Sequence, residues 1–169
     1  MEQYNKMDRL IIRHGVSEAN NRNNLGTLAF ASKEAPLMPV GIEQAQKLGV
    51  ILRQKYPADT LDTAIACSEL LRAQQTAQEA GFSQIIPYSI LNEVEHGMDL
   101  KSLRSMLDSG ELPQSALDTA ETILDSPPRE GIIFTHGLVI AGLTKVLGLS
   151  QKYDRLIPQF CEVREISFD

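Results

Sequence analysis

Two apolar runs that each break off in His-Gly constrain this chain more than any other feature. LIIRHG, residues 10 to 15, and IIFTHG, residues 132 to 137, lie near opposite ends of the sequence. Each run is short, β-branched and uninterrupted, as a strand buried on both faces should be. Each then delivers an imidazole and a glycine, and the second is followed at once by an apolar helical pattern, Leu138 to Leu147. Strands buried on both faces need helices on either side, so the expectation is α/β. Ligands of such sheets sit beyond the carboxyl ends of the strands. Both histidines fall there.

The rest of the pattern fits. Asp8 to Arg13 reads as the first strand and residues 14 to 38 as a long loop. Ile42, Ala45, Leu48 and Leu52 recur at helical spacing between Val40 and about Lys55, and Pro57 stops the run. Asp62 to Cys67 reads as a second strand. Ser68 reads as the N-cap of a helix, LLRAQQTAQEA, that ends at Gly81. Ile85 to Tyr88 is a third strand. Residues 91 to 128 form a mostly helical excursion, with Asp99 as an N-cap and Pro127-Pro128 as a stop. Gly131 to Thr135 is a fourth strand, and Cys161 to Phe168 a last, half-exposed one. The sum predicts one domain over residues 1–169, a three-layer α/β/α sandwich with a mostly parallel central sheet.

Charge narrows the partners. A net charge of -6 with no basic block argues against nucleic acid and against a membrane surface. The N-terminus, MEQYNKMDRL, lacks the apolar core of a signal peptide, and no apolar run approaches the roughly 18 residues of a membrane span. A cytoplasmic protein is expected. Cys67 and Cys161 match no metal spacing, and each lies in an apolar, strand-like stretch, so both read as reduced core residues.

Five candidates fall at strand ends. Arg13 and His14 close the first strand and His136 the fourth. Arg72 lies early in the helix after the second, and Glu93 just past the third. Singly each is bland: a His-Gly pair is usually a loop feature, Arg72 a surface arginine, Glu93 a solvated carboxylate. Their recurrence at the same edge is what carries weight. Two histidines and a glutamate can hold zinc, but two arginines beside them repel a dication and suit a phosphoryl group instead.

LIIRHGVSEAN, SELLRAQQTA, the Glu93-to-Gly97 segment and FTHG, in that order, resemble the histidine phosphatase superfamily, also called the phosphoglycerate mutase-like family. PLMPVGIEQAQKLG is similar to the segment that opens the family's first helix, and the resemblance runs from about residue 9 to 147. It implies a phosphoglycerate mutase-like fold and a small phosphorylated substrate. It implies that His14 takes the phosphoryl group, that Arg13, Arg72 and His136 hold it, that Asn20 and Ser17 add hydrogen bonds, and that Glu93 protonates the leaving oxygen. No metal and no other cofactor is implied. The chain departs from the family at Val16, where Glu or Gln is usual, and at Ala35, where an acid usually precedes Pro-Leu.

The expected activity is hydrolysis of a small phosphomonoester. A phosphoglycerate mutase-type phosphotransferase is the alternative, disfavoured by the short chain and short excursion. A phosphohistidine protein phosphatase tends to lack the acid glutamate, and an idle phospho-ligand binder would lack a chemical residue. Glu95 is a rival for the acid role, His96 could assist it, and Arg155 could touch substrate. The arginines should push the pKa of His14 down. For Glu93, burial raises the pKa and the arginines lower it, and the sequence leaves that sign open. Neither the physiological substrate nor an oligomeric state can be read from the residues.

Overall fold

The computed structural model describes residues 8–21 and 33–168. Strands β1 (Arg9–Arg13), β2 (Ile65–Cys67), β3 (Ile85–Pro87), β4 (Ile132–Thr135) and β5 (Val163–Ile166) form one sheet in the order β3-β2-β4-β1-β5. All neighbours pair parallel except β5, which runs antiparallel to β1 at one edge. The principal helices are α1 (Pro39–Lys55), α2 (Leu71–Glu79), α3 (Leu100–Asp108), α4 (Gln114–Asp125) and α5 (Gly137–Val146).

The three layers follow from the two-residue period of the strands. Leu10 and Ile12 join Ile65, Cys67, Ile132 and Phe134 on one face, against Leu48 and Leu52 of α1 and Ala73 and Ala77 of α2. Ile11, Ala66 and Ile133 turn to the other face. There they meet Ala120 and Ile123 of α4 and Val139, Ile140 and Leu143 of α5. Each large side chain so buried contributes about 1.5–3 kcal/mol.

β1 and β4 lie side by side at the centre, with Arg13 opposite Thr135. The ladder continues one step further, because the His14 N–H donates to the Thr135 carbonyl at 3.1 Å. The two strands therefore end level, and the residues that follow them emerge together.

The excursion holds α3 and α4 as expected, and Asp99 caps α3 by accepting the Ser102 N–H at 2.8 Å. The second strand is shorter than its pattern suggests. Asp62 instead closes a helical turn, Ala58–Leu61, and is exposed with Thr63. Cys67 lies in β2, fully buried, but Cys161 is not in a strand. It adopts left-handed backbone, φ 59, in the turn before β5 and donates its N–H to the Arg13 carbonyl at 3.0 Å. Of the long loop read over 14–38, residues 22–32 lie outside the described residues. Among those described, no helix is long and apolar enough to cross a membrane.

Candidate active site

His14 and His136 leave adjacent strands and meet edge to face, ring centroids 5.0 Å apart. Both are almost wholly buried. His14 Nδ1–H donates to the Gly15 carbonyl at 2.6 Å. A carbonyl only accepts, so that contact fixes the tautomer and leaves Nε2 with its lone pair. Burial first, then the charges of Arg13 and Arg72, hold the pKa of His14 well below its ordinary value, against a smaller upward pull from the Gly15 bond. The ring is neutral and its free nitrogen is a base.

The tautomer of His136 follows from a chain of side chains. Asn92 is oriented by Glu69, whose N–H donates to Asn92 Oδ1 (2.9 Å) and whose carboxylate accepts from Asn92 Nδ2 (3.2 Å). Asn92 Oδ1 therefore takes the single proton of Ser68 Oγ, at 3.0 Å. The Ser68 oxygen then accepts from the Leu70 N–H (3.1 Å) and, at 2.8 Å, from His136 Nε2–H. That uses the one donor and two acceptors a hydroxyl has. His136 Nδ1 is left buried, with no hydrogen-bond partner. Burial, then His14, Arg72 and Arg13, lowers its pKa well below the ordinary value.

The guanidinium of Arg13 lies 4.0 Å from the centroid of the Phe160 ring and donates to the Pro158 carbonyl at 2.7 Å. Its Nε is buried with no hydrogen-bond partner. Burial pulls its pKa to about 10 despite the neighbouring Glu93. The segment beneath it is anchored by Arg164, which is 1% exposed and donates to the Arg155 and Leu156 carbonyls and to Thr144 Oγ1. Arg72 is buried in the first turn of α2, at the positive end of that helix. It is not a surface arginine. Thr76, one turn on, donates to the Arg72 carbonyl (2.7 Å) and accepts the Gly15 N–H (3.0 Å), so α2 is tied to the loop that carries His14.

That loop is also pressed against the start of α1. A Cβ on Gly41 would lie 2.0 Å from the Val16 carbonyl oxygen, and one on Gly15 would lie 2.7 Å from the Gly41 oxygen. Backbone faces backbone, so neither side yields cheaply. Gly41→Ala is expected to destabilise the protein by roughly 1–3 kcal/mol, read as a lowered denaturant midpoint.

Glu93 follows the turn after β3 and lines the same cavity as Arg13, His14 and Arg72. Part of the residue reaches the surface, but its carboxyl is sunk among protein atoms. Oε1 accepts the Val94 N–H at 2.9 Å, and Oε2 lies 3.5 Å from the Leu138 N–H in the first turn of α5. Burial raises its pKa and outweighs those bonds and both arginines, so the sign left open by the sequence is upward. Glu95, the rival acid, lines the cavity but is exposed. His96 is engaged through Nδ1, which accepts the Met98 N–H at 3.1 Å. Arg155 is exposed and does not line the cavity.

Asn20 lines the cavity, whereas Ser17 is fully buried and does not. The Ser17 hydroxyl donates to Asn20 Oδ1 at 2.8 Å and orients that amide. Ser68, read from sequence as a helix cap, is not one: the cap position is Leu70, and Ser68 serves His136. Asn92, Thr76, Phe160 and Arg164 carry no signal that periodicity or spacing could reveal. Among the described residues no group of three or more His, Cys, Asp and Glu could hold a metal ion.

The model of the histidine phosphatase superfamily (branch 1) matches residues 10–114. Among solved structures, the chain is similar to TTHB049 from Thermus thermophilus, with a TM-score of 0.66 at 22% identity, covering 93% of this chain and 91% of that one. It is similar to Rv3214 from Mycobacterium tuberculosis, with a TM-score of 0.62 at 19% identity over 91% and 87%. It also resembles the phosphoserine phosphatase of Entamoeba histolytica in complex with 3-phosphoglyceric acid, with a TM-score of 0.60 at 18% identity over 91% and 87%. Sequence comparison with curated proteins gives no match.

Proposed function

The chain belongs to the histidine phosphatase superfamily, and from that premise we propose that it hydrolyses small phosphomonoesters through a phosphohistidine on His14. Family membership supports phosphatase or phosphotransferase chemistry in general, and one structural neighbour is a phosphoserine phosphatase. The observation that carries the finer reading is the neutral His14 with Nδ1 bound to Gly15, its Nε2 lone pair free, buried between Arg13 and Arg72.

In the first step Nε2 of His14 attacks phosphorus. The P–N bond forms, the ester P–O bond breaks, and the proton of Glu93 passes to the departing alkoxide. In the second step water attacks phosphorus and gives a proton to the Glu93 carboxylate. The P–N bond breaks, its electron pair returns to Nε2, and inorganic phosphate leaves. Arg13 and Arg72 meet the charge on the equatorial oxygens, the dominant contribution in phosphoryl transfer. An anion facing His136 Nδ1 favours a proton there, which turns that unpartnered atom into a donor. The described elements build one sheet with its two helical faces, which supports a single catalytic domain acting on a small molecule.

The test is cleavage of p-nitrophenyl phosphate in the presence of a chelator. Turnover should persist and be inhibited by vanadate, and rapid quenching should trap enzyme-bound phosphate that is acid-labile and alkali-stable. Turnover that depends on added metal would overturn the reading. Ser68→Ala releases the His136 ring from its oriented tautomer. Losing one such bond is worth about 1 kcal/mol, so kcat/KM for the same ester should fall roughly fivefold, with thermal unfolding as the check on folding.

A further inference from the structure

The cavity that holds these groups has a volume of about 600 Å³, the size of a pocket that encloses a small organic ligand. Beyond Arg13, His14 and Arg72 its described wall has a polar part, with Asn20, Asn92 and His96, and an apolar part, with Leu100, Leu103 and Leu107 of α3 beside Val94, Leu138 and Ile157. The three leucines recur at helical spacing and so share a face of α3. That helix buries no residue completely. Of the three, Leu107 packs into the cluster around Leu112 and Ala116, while Leu100 and Leu103 join no core cluster. An apolar helix face thus opens onto the space next to the phosphoryl-binding residues.

Charge along the same wall points the same way. Past the two arginines, the charged residues among those described are Glu93, Glu95 and Lys33. A second anionic group on the substrate would meet the carboxyl groups of Glu93 and Glu95 and a single lysine. An uncharged hydrocarbon group would meet leucines and remove their surface from water.

We propose, resting on the phosphatase reading above, that the organic half of the substrate is apolar and carries no anion, and that Leu100 and Leu103 of α3 select it. A phosphorylated carboxylic acid of the kind a mutase handles is then a poor fit. Alkylphosphonates test this by calorimetry, because their C–P bond is not cleaved and binding is read without turnover. Each buried methylene is worth about 0.8 kcal/mol, roughly fourfold in affinity. Hexylphosphonate should therefore bind on the order of a hundredfold more tightly than ethylphosphonate, and 3-phosphonopropionate more weakly than propylphosphonate. Leu103→Asp and the milder Leu103→Ala should each shrink the hexyl-to-ethyl ratio, the former more, with thermal midpoints recorded for both. Affinity that is flat along the series, or that rises when a carboxylate is added, overturns the inference and leaves the hydrolytic reading standing. Failure to cleave p-nitrophenyl phosphate overturns the hydrolytic reading, and the phosphonate series still decides the nature of the wall.

Discussion

His14→Ala is expected to abolish turnover of every phosphomonoester and to abolish the trapped phosphoenzyme with it. The substitution removes the imidazole whose Nε2 lone pair is uncommitted in the cavity, since His136 Nε2 is engaged by Ser68 and the Met98 N–H donates to Nδ1 of His96, which leaves the proton of a neutral His96 ring on Nε2. Removing a covalent nucleophile costs on the order of 10⁴- to 10⁶-fold in kcat. The protein should still fold, because the bonds that shape the loop come from the backbone of Gly15 and Val16 to Thr76 and Gln44. Binding of inorganic phosphate should survive in weakened form, since Arg13 and Arg72 remain. Steady-state kinetics together with a phosphate-binding isotherm separate the two effects. Near-normal rates in the variant would sink the covalent route.

Glu93→Gln should divide substrates by their leaving groups. An alkoxide needs a proton as it departs, so alkyl phosphates should lose about 10²- to 10⁴-fold in kcat. An aryl oxide leaves without help, and p-nitrophenyl phosphate should lose far less. The pH profile supplies an independent sign. Activity on an alkyl ester needs His14 neutral and Glu93 protonated. The depressed pKa of His14 moves the acid limb of kcat/KM well below the ordinary imidazole value. The raised pKa of Glu93 moves the alkaline limb above the ordinary carboxyl value of 4.5. kcat/KM reports the free enzyme, whereas in kcat the alkaline limb should move higher still, because a bound phosphoryl dianion further disfavours the carboxylate. The glutamine variant should lack the alkaline limb. An unchanged profile, or equal losses on aryl and alkyl esters, would remove Glu93 from the acid role.

The framework of this site is legible in the sequence because each of its parts lies at, or a few residues beyond, the carboxyl end of a strand. β1 and β4 announce themselves as uninterrupted apolar runs, and their last residues fall level because the strands pair in parallel. Arg72 and Glu93 are placed by the same logic at β2 and β3. The support around them is not legible. Ser68 looks like a helix cap in one dimension, and only the packing of Asn92 and Glu69 beside it shows where its proton goes. Phe160 lies just before the alternating stretch that becomes β5, and that alternation places Arg164 in a strand without showing that its guanidinium holds the Arg155 and Leu156 carbonyls. Cys161 sits in an apolar stretch yet bends left-handed to return its N–H to the end of β1, where tertiary hydrogen bonding overrides strand propensity. The sign of the Glu93 shift needed coordinates, because it is a balance between burial and two neighbouring charges.

The adjacency of β1 and β4 also governs when the protein can work at all. Contacts between segments so remote along the polypeptide carry a large loop-closure entropy and form slowly during folding. Until β4 inserts beside β1, His14 has neither its imidazole neighbour nor the carbonyl that receives its own amide. On the proposed mechanism a nascent chain still missing its last third is expected to be chemically silent, and in a refolding experiment the first appearance of ester cleavage should mark the moment the middle of the sheet zips shut.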